Sequence, residues 1–244
     1  MAPLIVPLRS RKAISPSWTG GKGAGLARLL RAGFPVPPGF VITTAAFHGV
    51  LADAAVQAGV SRPFNLAHKR TASPTPETRE AFSGGGLEVA RQAIHGWEMP
   101  APLRRAVVNA YLRLGGPVAV RSSMVGEDAE TESFAGQLDT VLDVEGEDAL
   151  LAAIRSVLAS VFGDRFWAYH HKAGSATGHP ASSDGKLPSM AVVVQRMVQA
   201  EVSGVAFSVD PVTCAPGIVI EAVPGPGEDL VQGRVRPDRY RLNS

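Results

Sequence analysis

The chain has 244 residues, 45% of them hydrophobic, enough for one large domain or two small ones around a buried core. Lys plus Arg (24) nearly balances Asp plus Glu (22), so the net charge of +2 argues against nucleic acid or a membrane surface as the partner and favours a small ligand. Cys214 is the single cysteine and makes no internal disulfide, MAPLIVPLRSRK is too short in apolar run for a signal peptide, and no stretch reaches the roughly 18–20 apolar residues of a membrane helix; a soluble cytoplasmic protein is expected.

The first feature along the chain is GGKGAG at 20–25. A phosphate-binding P-loop would need glycine at Pro16 and Ser or Thr at Gly23, and the dinucleotide pattern would need glycine at Leu26, so both spacings fail. What remains is a run of glycines whose backbone amides are open at a helix start, with Lys22 as a mobile positive charge, a plausible anion site. A helix over 24–32 follows, with Leu26, Leu29 and Leu30 on one face and Gly33 as its stop. FPVPPG then turns into a strand at about 40–43, and a helix runs up to Gly59. Residues 61–86, rich in Ser, Thr, Pro and Gly, read as a mobile connection, after which helical spacing returns from Leu87 to Leu114 with a break near Pro100 and Pro102.

The period then changes. PVAVRSS (117–123) reads as a strand, and SFAGQLDTVLDV (133–144) as a second, with Leu138, Thr140, Leu142 and Val144 on one side and Gln137, Asp139, Val141 and Asp143 on the other. Residues 147–162 set Leu150, Leu151, Ile154, Leu158, Val161 and Phe162 at helical spacing, and a polar linker over 172–189 leads to the apolar strand MAVVVQRMV. Strand-like pieces separated by Gly and Pro turns complete the chain, and no fixed-period repeat is present.

Taken singly, each candidate has a plain alternative. The glycines read equally as a turn with a solvated lysine, Arg121 as a surface ion-pair partner, and DPVT (210–213) most simply as a turn in which Asp210 bonds nearby amides. His170 and His171 are adjacent, not at a metal-binding spacing, and Cys214 has no histidine arrangement around it.

In combination the motifs say more. GGKGAGLARLLRAGFPVPPGFVITTAAF, VAVRSSMVGEDAETESFAGQLDTVLDV, VVVQRMVQAEVSGVAFSVDPVT and GRVRPDRY, in that order, resemble the N-terminal ATP-binding domain of the phosphoenolpyruvate synthase and pyruvate phosphate dikinase family, also found in rifampin phosphotransferases. The resemblance implies an α+β, ATP-grasp-like fold with mixed or antiparallel sheets and an inserted helical segment at about 44–114. It implies a first lobe over 1–190, then a hinge strand and an incomplete second lobe over 191–244. It gives Lys22 the ATP phosphates and Arg121 the charge developing on the phosphoryl chain, roles that suit a point-charge ammonium and a forked guanidinium. Gly136 and Thr140 match nucleotide contacts, and Gln195, Met197 and Val198 match the linker that reads the adenine edge and packs on its ring.

Two departures accompany the resemblance. The family's acidic Mg²⁺ ligands and further nucleotide-binding residues follow the point where PDRYRLNS stops, and none of the six histidines has the context of the family's phosphorylated histidine. The expected function is therefore the ATP-binding part of a phosphotransferase, passing phosphate from ATP to a histidine on a partner domain or chain and then to a small acceptor on a substrate domain. A degenerate nucleotide- or partner-binding domain without turnover, and the ATP-binding part of an ATP-dependent condensing enzyme, are the alternatives.

Overall fold

The computed structural model describes residues 3–57, 84–126, 139–163 and 189–242. These divide into two units, 1–197 and 198–244.

The first unit is built on a sheet of five strands, β1 (Ile5–Pro7), β2 (Gly39–Ile42), β3 (Val118–Met124), β4 (Thr140–Val144) and β5 (Met190–Arg196), in the order β1-β2-β5-β3-β4 with every neighbour antiparallel. Position follows from composition. A strand with both neighbours paired and both faces covered must be apolar on both sides, and Met190 to Val194 are all buried. Each of its three central valines, Val192, Val193 and Val194, contributes about 1.5–3 kcal/mol by leaving water. Strand β5 thus lies at the centre of the first unit's sheet, between β2 and β3.

Alternation along the strands sorts the helices onto two faces. Val118, Val120, Met124, Val192, Val194, Phe40 and Ile42 face the larger core, which is closed by α2 (Thr44–Gln57), α3 (Gly84–His95), α4 (Ala101–Leu114) and α5 (Glu147–Ala159). Trp97 anchors it: the ring is buried and its indole N–H donates to Asp53 Oδ2 at 2.7 Å, which satisfies the one polar atom of the ring. The opposite face, with Val41, Ala191 and Val193, packs on Leu8 and on Leu26 and Leu30 of α1 (Pro16–Arg31).

Two expectations change. Helix α3 begins at Gly84, inside the stretch read as a connection; three glycines each cost a helix about 1 kcal/mol relative to alanine, but none forbids its backbone angles. The strict alternation expected for 140–144 breaks as well. Val120 pairs with Val141 but Val118 with Val144, so β4 carries one extra residue, and Asp143 takes φ 51 there. This bulge turns both Val141 and Val144 to the large core, where simple alternation sets them on opposite sides. Most of 61–86, all of 133–138 and all of 172–189 but Ser189 lie outside the described residues.

The second unit is an antiparallel meander of β6 (Val202–Val209), β7 (Pro216–Pro224) and β8 (Asp238–Leu242), with the one-turn helix α6 (Glu228–Val231) before the last strand. Its β6–β7 turn is tied by Asp210, whose Oδ1 accepts from the amides of Val212 (2.9 Å) and Thr213 (3.2 Å) and whose Oδ2 meets Arg241. Those two amides hold the carboxyl below its ordinary value; desolvation opposes them and the Arg241 charge assists. Across β7 and β8, Glu221 pairs with Arg239 in register and in an ion pair of 3.1 Å.

Candidate functional site

The glycine-rich stretch lies within α1, and the helix is broken there. Gly20 has φ 69 and ψ 178, a region open to essentially glycine alone, so a short turn from Pro16 to Thr19 ends and a new helical segment starts at Gly21. Glycine is demanded a second time by packing: a Cβ at Gly20 would lie 2.2 Å from the Ser123 carbonyl oxygen. The break therefore presses against β3, the strand that carries Arg121.

Buried hydroxyls hold this arrangement. Thr19 Oγ1 donates to the carbonyls of Ala13 (2.7 Å) and Ser15 (3.0 Å), and Thr44 Oγ1 donates to the Ser17 carbonyl at 2.7 Å. Ser123 Oγ donates to the Thr19 carbonyl at 2.7 Å and accepts from the Gly23 amide at 3.0 Å. One of the amides expected to be open to an anion, that of Gly23, is thus already taken. Lys22, the residue before it, is half-buried.

Arg121 and Thr140 are direct cross-strand partners on β3 and β4, so both side chains stand on one face of the sheet. Gln195 of β5 pairs with Ala119, two residues from Arg121, and so occupies the same face. Thr140 is exposed and Arg121 half-buried, and among the described residues the buried Nε of Arg121 has no hydrogen-bond partner. A buried donor left unmade costs about 1–3 kcal/mol, and an anion between Lys22's segment and Arg121's strand would remove that cost.

Gln195 itself is committed to the scaffold. Its side chain is buried and donates to the Pro37 carbonyl at 3.1 Å, while the Arg196 amide bonds Pro38 (2.9 Å) and the Met197 amide bonds Pro117 (3.0 Å). The prolines of FPVPPG supply carbonyl acceptors that stitch the end of β5 to its neighbours. Met197 is half-buried and Val198 is 60% exposed, and the boundary between the two units falls between them. Gly136 lies outside the described residues.

Ser123 is the residue of this hydroxyl network that motif spacing missed. It stands 100 residues from its partner Gly23, a separation no local pattern reports, and its sole trace in the sequence is a place two residues beyond Arg121 on the same strand face. Among the described residues no three His, Cys, Asp or Glu side chains group to hold a metal ion. No helix among them is long and apolar enough to cross a membrane.

Comparison with known proteins bears on the same residues. A family model described as pyruvate phosphate dikinase, AMP/ATP-binding domain, matches residues 17–244. The chain is 38% identical over 229 residues to a phosphoenolpyruvate synthase of Aeropyrum pernix, covering 91% of this chain and 26% of that protein. It is 36% identical to the prodigiosin synthesizing transferase PigC of Serratia marcescens, covering 98% of this chain and 24% of the relative. A rifampicin phosphotransferase of Streptomyces sviceus is also 36% identical, over 91% of this chain and 24% of its own length. The chain spans about a quarter of the length of these relatives. With almost all of its length matched and the matched segments housing Lys22, Arg121, Thr140 and Gln195, the chain belongs to the pyruvate phosphate dikinase AMP/ATP-binding domain family.

Proposed function

We propose that the chain is the ATP-binding part of a dikinase-like phosphotransferase with an ATP-grasp-like plan. Lys22 holds the ATP phosphates, and Arg121 neutralises charge that builds on the phosphoryl group as it leaves. Thr140 donates its hydroxyl to the phosphate chain, and Gly136 lets backbone approach it. The observation that carries this reading is the buried Nε of Arg121, without a hydrogen-bond partner among the described residues, on the residue directly across the ladder from Thr140. A guanidinium with an orphaned donor is a site built for an anion, and a phosphate oxygen accepts from it with charge assistance.

The reaction needs positioning and charge neutralisation more than covalent help, and these residues supply both. Since the amides of Arg196 and Met197 are used within the scaffold, reading of the adenine edge falls to Val198 and to carbonyls of the 195–198 segment, with Met197 packing on the ring. The phosphoryl group then passes to a histidine nitrogen on another domain or chain, and from there to a small acceptor.

The test has two stages. ATP with Mg²⁺ raises the melting temperature of the chain, and Lys22→Ala and Arg121→Ala each reduce the rise; no shift with any nucleotide would refute the reading. Incubation with a histidine-domain partner and radiolabelled ATP then labels that partner, whereas binding without label supports a nucleotide-binding domain without turnover. A second reading, the ATP-binding part of an ATP-dependent condensing enzyme, draws support from the 36% identity to a prodigiosin synthesizing transferase over 98% of the chain. It predicts ATP consumption that depends on two acceptor molecules being joined.

A further inference from the structure

We infer that Ser123 is a positioning residue for Lys22, fixing where the lysine's backbone sits relative to the strand that carries Arg121. The inference rests on the ATP reading above and assigns a role to a residue outside the predicted contacts. One hydroxyl bonds the chain on both sides of Lys22, at the Thr19 carbonyl three residues before it and at the Gly23 amide one residue after it. Ser123 and Thr19 are both 0% exposed, so water does not compete for either bond.

The surroundings leave this hydroxyl in control. The turn before the break is already pinned, with Thr19 bonded to Ala13 and Ser15 and Ser17 held by Thr44. Gly20, in a conformation with no side chain to restrain it, is the point where the chain could swing. Contact between Gly20 and the Ser123 carbonyl closes the gap, and the Ser123 hydroxyl fixes the direction in which the next segment leaves. Because Ser123 and Arg121 lie two residues apart on one strand face, the lysine's backbone and the arginine's share one rigid reference. A lysine ammonium rides on a flexible four-carbon stem, so its reach toward a phosphate depends on where that backbone is held.

Titration of the full chain with ATP, and by competition with adenosine, tests the role. Ser123→Ala weakens ATP binding about tenfold while adenosine changes less than about twofold, since the lost hydrogen bonds act through the phosphate contact alone. Lys22→Ala has the same signature, and the double variant binds ATP no more weakly than Lys22→Ala does. Ser123→Cys, close in size with a weak S–H donor, falls between wild type and alanine, and carries the test if the alanine variant does not fold. An equal loss for ATP and adenosine, or a Ser123→Ala effect that adds in full to Lys22→Ala, overturns the positioning role and leaves the ATP reading standing. Failure of the unsubstituted chain to bind ATP overturns both, and is seen before any variant is made.

Discussion

At Arg121 the cost of function and the cost of folding are separable. Its Nε is buried without a hydrogen-bond partner among the described residues, a cost to folding that the proposed anion contact would offset. Arg121→Met, which keeps the apolar stem and deletes the orphaned donor, should leave the ligand-free melting temperature unchanged or higher while abolishing most of the ATP-induced rise. A drop in ligand-free stability of more than about 1 kcal/mol would instead mark Arg121 as a structural ion-pair residue. Gly20 behaves in the opposite way. Gly20→Ala meets both a forbidden backbone region and the Ser123 carbonyl, and should destabilise the chain by about 3 kcal/mol or more in denaturant unfolding. A loss within about 0.5 kcal/mol would show that the break in α1 relaxes easily.

Among the elements, strands were the most legible in sequence and their irregularities the least. The apolar run Met190–Val194 announces a strand covered on both faces, and β3 and β4 follow from their period. The bulge at Asp143 is invisible to a period of two, because the alternation TVLDV is consistent until a partner strand sets the register. The site divides in the same way. Arg121 and Thr140 stand in the sequence as separate candidates, their pairing exists only in the ladder, and the hydroxyl network of Thr19, Thr44 and Ser123 joins segments that no local window contains. Turn chemistry at DPVT was legible because an aspartate bonding amides two and three residues on is a local event. Since the folded-state pKa of Asp210 lies below its ordinary value of 3.8, the turn's stabilisation is complete above that value and is lost as pH falls through the lowered one. Amide chemical shifts of Val212 and Thr213 followed from neutral to acid pH should move together at that point, and Asp210→Asn should remove the transition.

For the molecule as a whole, the two units differ in how much apolar surface they bury. Among the described residues the first holds nearly all of the fully buried side chains, whereas in the second only Val219, Val223 and Asp210 are buried. Hydrogen exchange should therefore protect the amides of Val192–Val194 far longer than those of Val202–Val209, and equal protection would contradict that ranking. The strand order has a consequence for how the protein is made. Strand β5 is the last of its sheet to be synthesised and the one that lies at its centre, between β2 and β3. Until the ribosome has released residue 196, the pair β1-β2 and the pair β3-β4 each present an apolar edge that lacks its partner strand. A nascent chain paused earlier should be a client for chaperones, and one paused beyond that residue should not.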